Sequence, residues 1–264
     1  MDWEIFWQFS IMVVVCYFLG NINIARFFSK LRKDDITKKG SGNPGTMNVL
    51  RSYGFGLGAL TFIFDIVKCA GPVLAVYFMF KDKSPYSDLN NVLKILDYGI
   101  IAMFITALSV IIGHIYPVLW NFNGGKGVAS TLGAFFIITS VLGYWYVGLA
   151  IFGAGFLYIL LFEWGSVGSL IMTTAFPVFT ITYFVITYDM TAWLAFIICA
   201  NILVCFLSYW KHRTNLTKLK EGRENRTKLL KMILRKYKDH KEQKNSEEKL
   251  EIKTEAENSE TKDI

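Results

Sequence analysis

Charge is scarce in this chain. Only 19% of its 264 residues are Asp, Glu, Lys or Arg, against 53% hydrophobic. That balance excludes an ordinary soluble domain and points to a polytopic membrane protein. Cysteine is scarce as well. Cys16, Cys69, Cys199 and Cys205 all fall in apolar stretches with no metal-ligand spacing. Neither a metal site nor a disulfide framework is expected, and the four read as small packing residues. No Ser-His-Asp set is visible, so a triad-activated serine nucleophile is not expected. The N-terminal apolar run lacks both hallmarks of a secretory signal. Its leading flank carries Asp2 and Glu4, and it ends in Asn21-Ile22-Asn23 rather than small residues, so a retained helix is expected.

The runs that remain are long enough to cross a bilayer, which takes about 20 apolar residues. They are residues 5–24, 55–80, 96–119, 128–162, 170–188 and 192–209. The fourth is too long for one span, because a helix of that length would reach roughly 50 Å. A turn near Gly143-Tyr144-Trp145 divides it and predicts seven spans. A single tilted helix is the alternative. The fold class expected is therefore an all-α membrane protein of about seven transmembrane helices.

Basic residues set the orientation. Arg26, Lys30, Arg32, Lys33, Lys38, Lys39 and Arg51 follow the first span, and Lys211, Arg213, Lys218 and Lys220 follow the last. Both segments are expected in the cytoplasm, the N-terminus and the loop of residues 81–95 outside. Residues 1–213 read as the membrane domain and 214–241 as a basic cytoplasmic segment. Within the latter, Leu229, Leu230, Ile233, Leu234 and Tyr237 recur at helical spacing among Lys and Arg. That pattern predicts an amphipathic helix on the anionic leaflet, with lipid headgroups rather than nucleic acid as partner. Residues 242–264 read as disordered.

Three polar, Gly-rich islands interrupt the apolar chain, and with seven spans all three face the cytoplasm. The first is Gly40-Ser41-Gly42-Asn43-Pro44-Gly45-Thr46-Met47-Asn48, followed by Arg51. Its glycines let backbone N–H groups converge on an anion, Ser41, Asn43, Thr46 and Asn48 add polar groups, and Arg51 offers a bidentate clamp. A polar turn between helices would have the same composition. The second runs from Gly113-His114 through Pro117 to Asn123-Gly124-Gly125-Lys126-Gly127. It precedes a helix whose N-terminus favours an anion, with Lys126 in reach. It is not a P-loop, since Gly127 replaces the Ser or Thr after the lysine. The third, Gly165-Ser166-Val167-Gly168-Ser169, offers Ser166 and Ser169, for which helix capping is a sufficient alternative. Asp65 and Lys68 lie i, i+3 inside a span, a costly placement that suggests a role in or behind a site. His212 and Asn215, just past the last span, are expected to face the same cytoplasmic pocket.

Taken in order, these motifs, with Val128-Ala129, Arg213 and Gly222, resemble those of the bacterial acyl-phosphate:glycerol-3-phosphate acyltransferase (PlsY) family over roughly residues 1–226. The resemblance implies a seven-helix enzyme of the bacterial cytoplasmic membrane, with its site at the cytoplasmic face. It implies acyl phosphate and glycerol 3-phosphate as substrates, lysophosphatidic acid as product, and no cofactor or metal. By matching position, it implies that Ser41, Gly42, Asn43, Gly124 and Gly125 hold phosphate. It assigns the glycerol phosphate to Arg51, Lys126, Ser166, His212 and Asn215. Thr46-Met47 stand where the family usually has Ala-Thr, so the hydroxyl has moved by one residue. His114 and His212 are candidate proton acceptors, beside the leaving phosphate itself. The chief alternative is a transporter of an anionic metabolite, since broken helices bind anions there too. Against it, the ionisable residues gather at one face and no inverted repeat is visible.

Overall fold

The structure, a computed structural model, describes residues 3–83 and 96–235, and beyond these 237, 238, 241, 242, 245 and 246. The described residues are helical with no strand. That is the form expected of apolar segments that must satisfy their own backbone groups in lipid. The helices are α1 (Trp3–Asn21), α2 (Ile24–Leu31), α3 (Thr46–Tyr53), α4 (Phe55–Phe80), α5 (Tyr98–Ile115), α6 (Val128–Val141), α7 (Trp145–Phe162), α8 (Gly165–Thr187) and α9 (Ala192–Lys220). Six helical stretches are long and apolar enough to cross a membrane, and α6 is a shorter apolar helix. The break that divides the long run falls at Leu142–Tyr144, where Gly143 takes a φ of +84°, a conformation glycine adopts without steric cost.

α5 is the central post. Nearly all its residues are buried, and α1, α4, α6 and α9 pack around it. α1 comes close enough at Gly113 that a Cβ there would lie 2.1 Å from the Tyr17 carbonyl oxygen. Small residues at such crossings let backbones meet in lipid, where the hydrophobic effect gives helices no reason to associate. α8 and α9 are joined by buried polar pairs, Thr180–Asn201 at 2.7 Å and Thr173–Ser208 at 2.8 Å.

Three details differ from the sequence reading. α9 continues past the apolar run to Lys220, so His212 and Asn215 stand on the same helix as the last span. α8 begins at Gly165, which makes the third island a helix start. In the predicted amphipathic segment, residues 229–235 are helical, and Leu229 and Ile233 turn toward the protein core rather than away from it. The physical reason is an apolar groove beneath them, described below. Residues 84–95 of the predicted outer loop, and most of the predicted disordered tail, lie outside the described residues.

Candidate active site

The three islands, far apart in sequence, meet at one end of the bundle. Two cavities open there and share Ser41, Asn43, Lys126 and Asn215 in their walls. The outer one, about 490 Å³, is polar and cationic: Arg26, Lys126, Lys211 and Arg213 line it with Ser41-Gly42-Asn43 and Gly124. None of its described lining residues is acidic. The inner one, about 290 Å³, has a polar end formed by Arg51, Lys126, Ser166, Ser169 and His212, with Asp65, His114 and Glu224 also in its wall. Its other end is a hydrocarbon groove between α4, α6 and α7, walled by Phe62, Leu132, Phe152 and Phe156 among others. Such a pair of cavities suits an anionic head followed by an apolar chain.

The first loop is shaped by Asn48. Its Oδ1 accepts from the Ser41 N–H at 2.9 Å, and its Nδ2 donates to the carbonyls of Ile36 and Lys39 at 3.1 and 2.9 Å. Asn48 is buried, and its amide serves the loop's own backbone. It shapes this turn rather than presenting free donors, whereas a substrate contact is expected of it from the sequence. Thr46 opens α3 and lines the inner cavity. Gly42 sits at φ +72°, which lets the turn curl.

The second loop is moulded on His114. Gly125 N–H donates to the His114 carbonyl at 3.1 Å. A Cβ on Gly124 would come within 2.0 Å of that carbonyl oxygen, and one on Gly125 within 2.1 Å of the imidazole Nε2. Behind the imidazole stand Lys68 and Asp65. Lys68 Nζ lies 2.7 Å from His114 Nδ1, 2.7 Å from Asp65 Oδ1 and 2.9 Å from the Ile22 carbonyl. The Gly20 carbonyl lies 3.5 Å from the same Nζ. An ammonium can only donate, so Nδ1 accepts, which leaves the proton of neutral His114 on Nε2. Asp65, Lys68 and His114 form a buried brace that ties α4 and α5 to the end of α1. His114 in this state has no lone pair to offer a substrate proton.

His212 has the opposite tautomer. Its Nδ1 lies 2.8 Å from the Ser208 carbonyl oxygen, which can only accept. Nδ1 therefore carries the hydrogen, and Nε2 of the neutral ring is a free base in a residue that lines the inner cavity. Asn215, one helical turn on, shares its face. Its Oδ1 accepts from Lys126 Nζ at 2.5 Å, and its Nδ2 donates to Glu224 Oε1 at 2.9 Å. Ser166 Oγ donates to Glu224 Oε2 at 2.7 Å. Ser169 Oγ bonds back to the Gly165 carbonyl at 2.7 Å and lines the cavity. Arg51 Nη2 donates to the Asn225 carbonyl at 3.2 Å. Burial pulls the Lys126 ammonium down to about 8, against the opposing pull of Glu224.

Sequence reasoning missed Glu224 and Arg26. Glu224 is buried at the junction of Ser166 and Asn215. A lone acid among the bases after Gly222 is the signal that pointed to it. Arg26 was read only as a topological charge. It stacks 4.8 Å over Trp120 and donates to the Asn123 carbonyl at 2.7 Å, in the wall of the outer cavity. Among the described residues no cluster of metal-binding side chains occurs.

Comparison with known proteins supplies a family. The glycerol-3-phosphate acyltransferase family model matches residues 10–222. A glycerol-3-phosphate acyltransferase of Photobacterium profundum is 33% identical over 229 residues, covering 86% of this chain and 96% of the relative. One from Finegoldia magna is 33% identical over 219 residues, covering 82% and 94%. Among solved structures, the glycerol 3-phosphate form of PlsY (YgiH), an integral membrane glycerol 3-phosphate acyltransferase, matches with a TM-score of 0.66 and 28% identity. The match covers 83% of this chain and 95% of that one. The lysophosphatidic acid form of the same protein matches with a TM-score of 0.60.

Proposed function

Because this chain belongs to the glycerol-3-phosphate acyltransferase family, we propose that it moves a fatty acyl group from an acyl phosphate to the primary hydroxyl of glycerol 3-phosphate. The products are lysophosphatidic acid and inorganic phosphate. The reaction takes place at the cytoplasmic face of a bacterial membrane, and the excess of Lys and Arg at the site's end of the bundle supports that orientation. The seven-span count rests on α6 crossing with the six longer stretches. The catalytic membrane domain extends past residue 213 to the end of α9, which carries Asn215, and the chain after it is its cytoplasmic extension.

One observation carries the reading: a cationic cavity and an apolar groove share a wall at Lys126 and Asn215. An acyl phosphate has this shape, a phosphate joined through a single carbonyl carbon to a hydrocarbon chain. Ser41-Gly42-Asn43 and Gly124 hold its phosphate in the outer cavity, Gly125 anchors the loop through its bond to the His114 carbonyl, and the chain runs into the groove. Arg51, Lys126, Ser166 and Asn215 hold the second phosphate, that of glycerol 3-phosphate. Two anions that repel in water are thereby fixed side by side, which converts a bimolecular encounter into a local one.

The hydroxyl oxygen then attacks the acyl carbonyl carbon, and the bond from that carbon to the phosphate oxygen breaks. Lys126 and Arg51 offset the charge on the departing phosphate. The hydroxyl proton goes to His212 Nε2 or to the leaving phosphate, both free to accept it. His114 stays behind the glycine loop as its support. No covalent intermediate is needed, because the donor is already an activated anhydride.

The test is incubation of the purified protein in detergent with glycerol 3-phosphate and either palmitoyl phosphate or palmitoyl-CoA. Phosphate release and lysophosphatidic acid formation are expected with the former alone. Product formed only from the thioester overturns the donor assignment. No product from either donor overturns the acyltransferase reading and leaves a transporter as the reading to test in sealed vesicles.

A further inference from the structure

The chain beyond residue 222 lies outside the stretch matched by the family model. Past Glu224 and Asn225 the reaction above makes no use of it, yet it enters the site. Thr227 N–H donates to the Glu163 carbonyl at the end of α7, at 2.8 Å. Arg226 stacks 5.1 Å over Trp164, with its guanidinium 3.8 Å from Glu163 Oε2. Together with the Arg51–Asn225 and Ser166–Glu224 bonds, these contacts tie residues 224–227 to α3, to the end of α7 and to the start of α8, beside the inner cavity that Glu224 lines.

Residues 229–235 then turn into a short helix with two unlike faces. Leu229, Met232 and Ile233 pack against the core, at i, i+3 and i+4. Lys231, Leu234 and Arg235 are exposed. Leu229 is only 8% exposed, and it and Ile233 form part of the groove wall. The sequence pattern alone suggested a helix facing lipid headgroups. Here the apolar face has a more specific partner.

We propose that Leu229 and Ile233 roof the reacting end of the acyl groove and make the site choose glycerol phosphate over water. This rests on the acyl-phosphate reading above. A mixed anhydride is open to any oxygen nucleophile. If water reaches it, the water oxygen attacks the acyl carbonyl carbon and the carbon–oxygen bond to phosphate breaks. Fatty acid and phosphate leave, and the proton passes to phosphate. Leu229 and Ile233 line the same cavity as Glu224, which is bonded to Ser166 and Asn215 at its polar end. Its inward side chains are hydrocarbon and offer water no foothold. Closing a site in this way suppresses hydrolysis without touching the transfer step.

The test uses the full chain carrying Leu229→Ser with Ile233→Ser, and a second form ending at Lys228. Both are incubated with palmitoyl phosphate, with and without glycerol 3-phosphate, and fatty acid and lysophosphatidic acid are quantified. The ratio of hydrolysis to transfer is expected to rise by about tenfold in both forms, with the KM for glycerol 3-phosphate unchanged. Leu229→Ile, which keeps the hydrocarbon, is expected to keep the parent ratio and provides the comparison should the serine pair fail to fold. Parent-like ratios in the variants overturn the roof, as does a parallel fall in both reactions. A parent chain that makes no lysophosphatidic acid from acyl phosphate overturns the acyl-phosphate reading instead.

Discussion

Lys126 and Asn215 lie one hydrogen bond apart, 2.5 Å from Nζ to Oδ1, although 89 residues separate them in the chain. The bond fixes an ammonium at the wall common to both cavities. Burial lowers that ammonium to about 8, so its charge is largely present at neutral pH and is lost as pH rises through that value. The kcat/KM for glycerol 3-phosphate is expected to fall above pH 8, towards tenfold per unit. Bound anions favour the charged form, so kcat is expected to fall at a higher pH than kcat/KM. Lys126→Arg keeps its charge throughout this range and is expected to remove the alkaline fall. Lys126→Ala and Arg51→Ala each remove a charge-assisted contact of about 1.5–3 kcal/mol, or roughly ten- to a hundredfold in kcat/KM. Steady-state kinetics from pH 6 to 10 check both points.

The two histidines separate by tautomer. His114 donates no lone pair to the cavity because its Nδ1 already accepts from Lys68. His114→Ala is therefore expected to leave the shape of the pH–rate profile unchanged while lowering thermal stability, since the buried Lys68 ammonium loses its contact with Nδ1. Asp65→Asn removes the buried counter-charge, and breaking such a pair costs about 3–5 kcal/mol. The measurements are the melting temperature in detergent and the pH profile of whatever activity remains. A His114→Ala enzyme with normal stability and a shifted profile would reverse the assignment.

The helices were legible because apolar run length, not detailed packing, decides whether a segment can span lipid. The turn at Gly143 was legible for the same reason, since the run was too long for one crossing. The glycine islands were legible because their composition is wasteful in any other part of such a chain. Glu224 and Leu229 were not, since both lie in a segment whose basic, amphipathic pattern describes a membrane-surface helix equally well. Only the groove beneath them, built from α4, α6 and α7, decides which way the apolar face turns. The role of Asn48 was also hidden, because an asparagine that ties a loop and one that binds substrate look alike in sequence.

The glycine pair of the second loop gives a sharp steric prediction. A Cβ on Gly124 or Gly125 collides with the backbone or ring of His114, at 2.0 and 2.1 Å, and neither can retreat from the Lys68 brace. Gly124→Ala and Gly125→Ala are expected to displace the loop and lose most activity, with the KM for acyl phosphate raised. Gly143→Ala meets nothing within 4 Å and pays only the left-handed backbone strain, about 1 kcal/mol. It is expected to keep near-parent activity at a slightly lower melting temperature. Parallel assays of the three variants check the contrast.

Arg26 extends the site beyond the motifs that drew attention to it. Its guanidinium stands over Trp120, bonded to the Asn123 carbonyl just ahead of the glycine pair, with Lys30 5.0 Å over the same ring. The cavity it lines is the one assigned here to the donor phosphate, while Arg51 lines the cavity assigned to glycerol phosphate. The two arginines therefore make a division of labour testable by kinetics alone. Arg26→Ala is expected to raise the KM for acyl phosphate by about tenfold, as loss of one charge-assisted contact implies, and to leave the KM for glycerol 3-phosphate unchanged. Arg51→Ala is expected to do the reverse. Arg26→Lys keeps the charge but not the flat stacking surface or the fork of donors, so it is expected to recover part of the loss. If both arginine variants raise the same KM, the two phosphates are not sorted between the cavities as assigned.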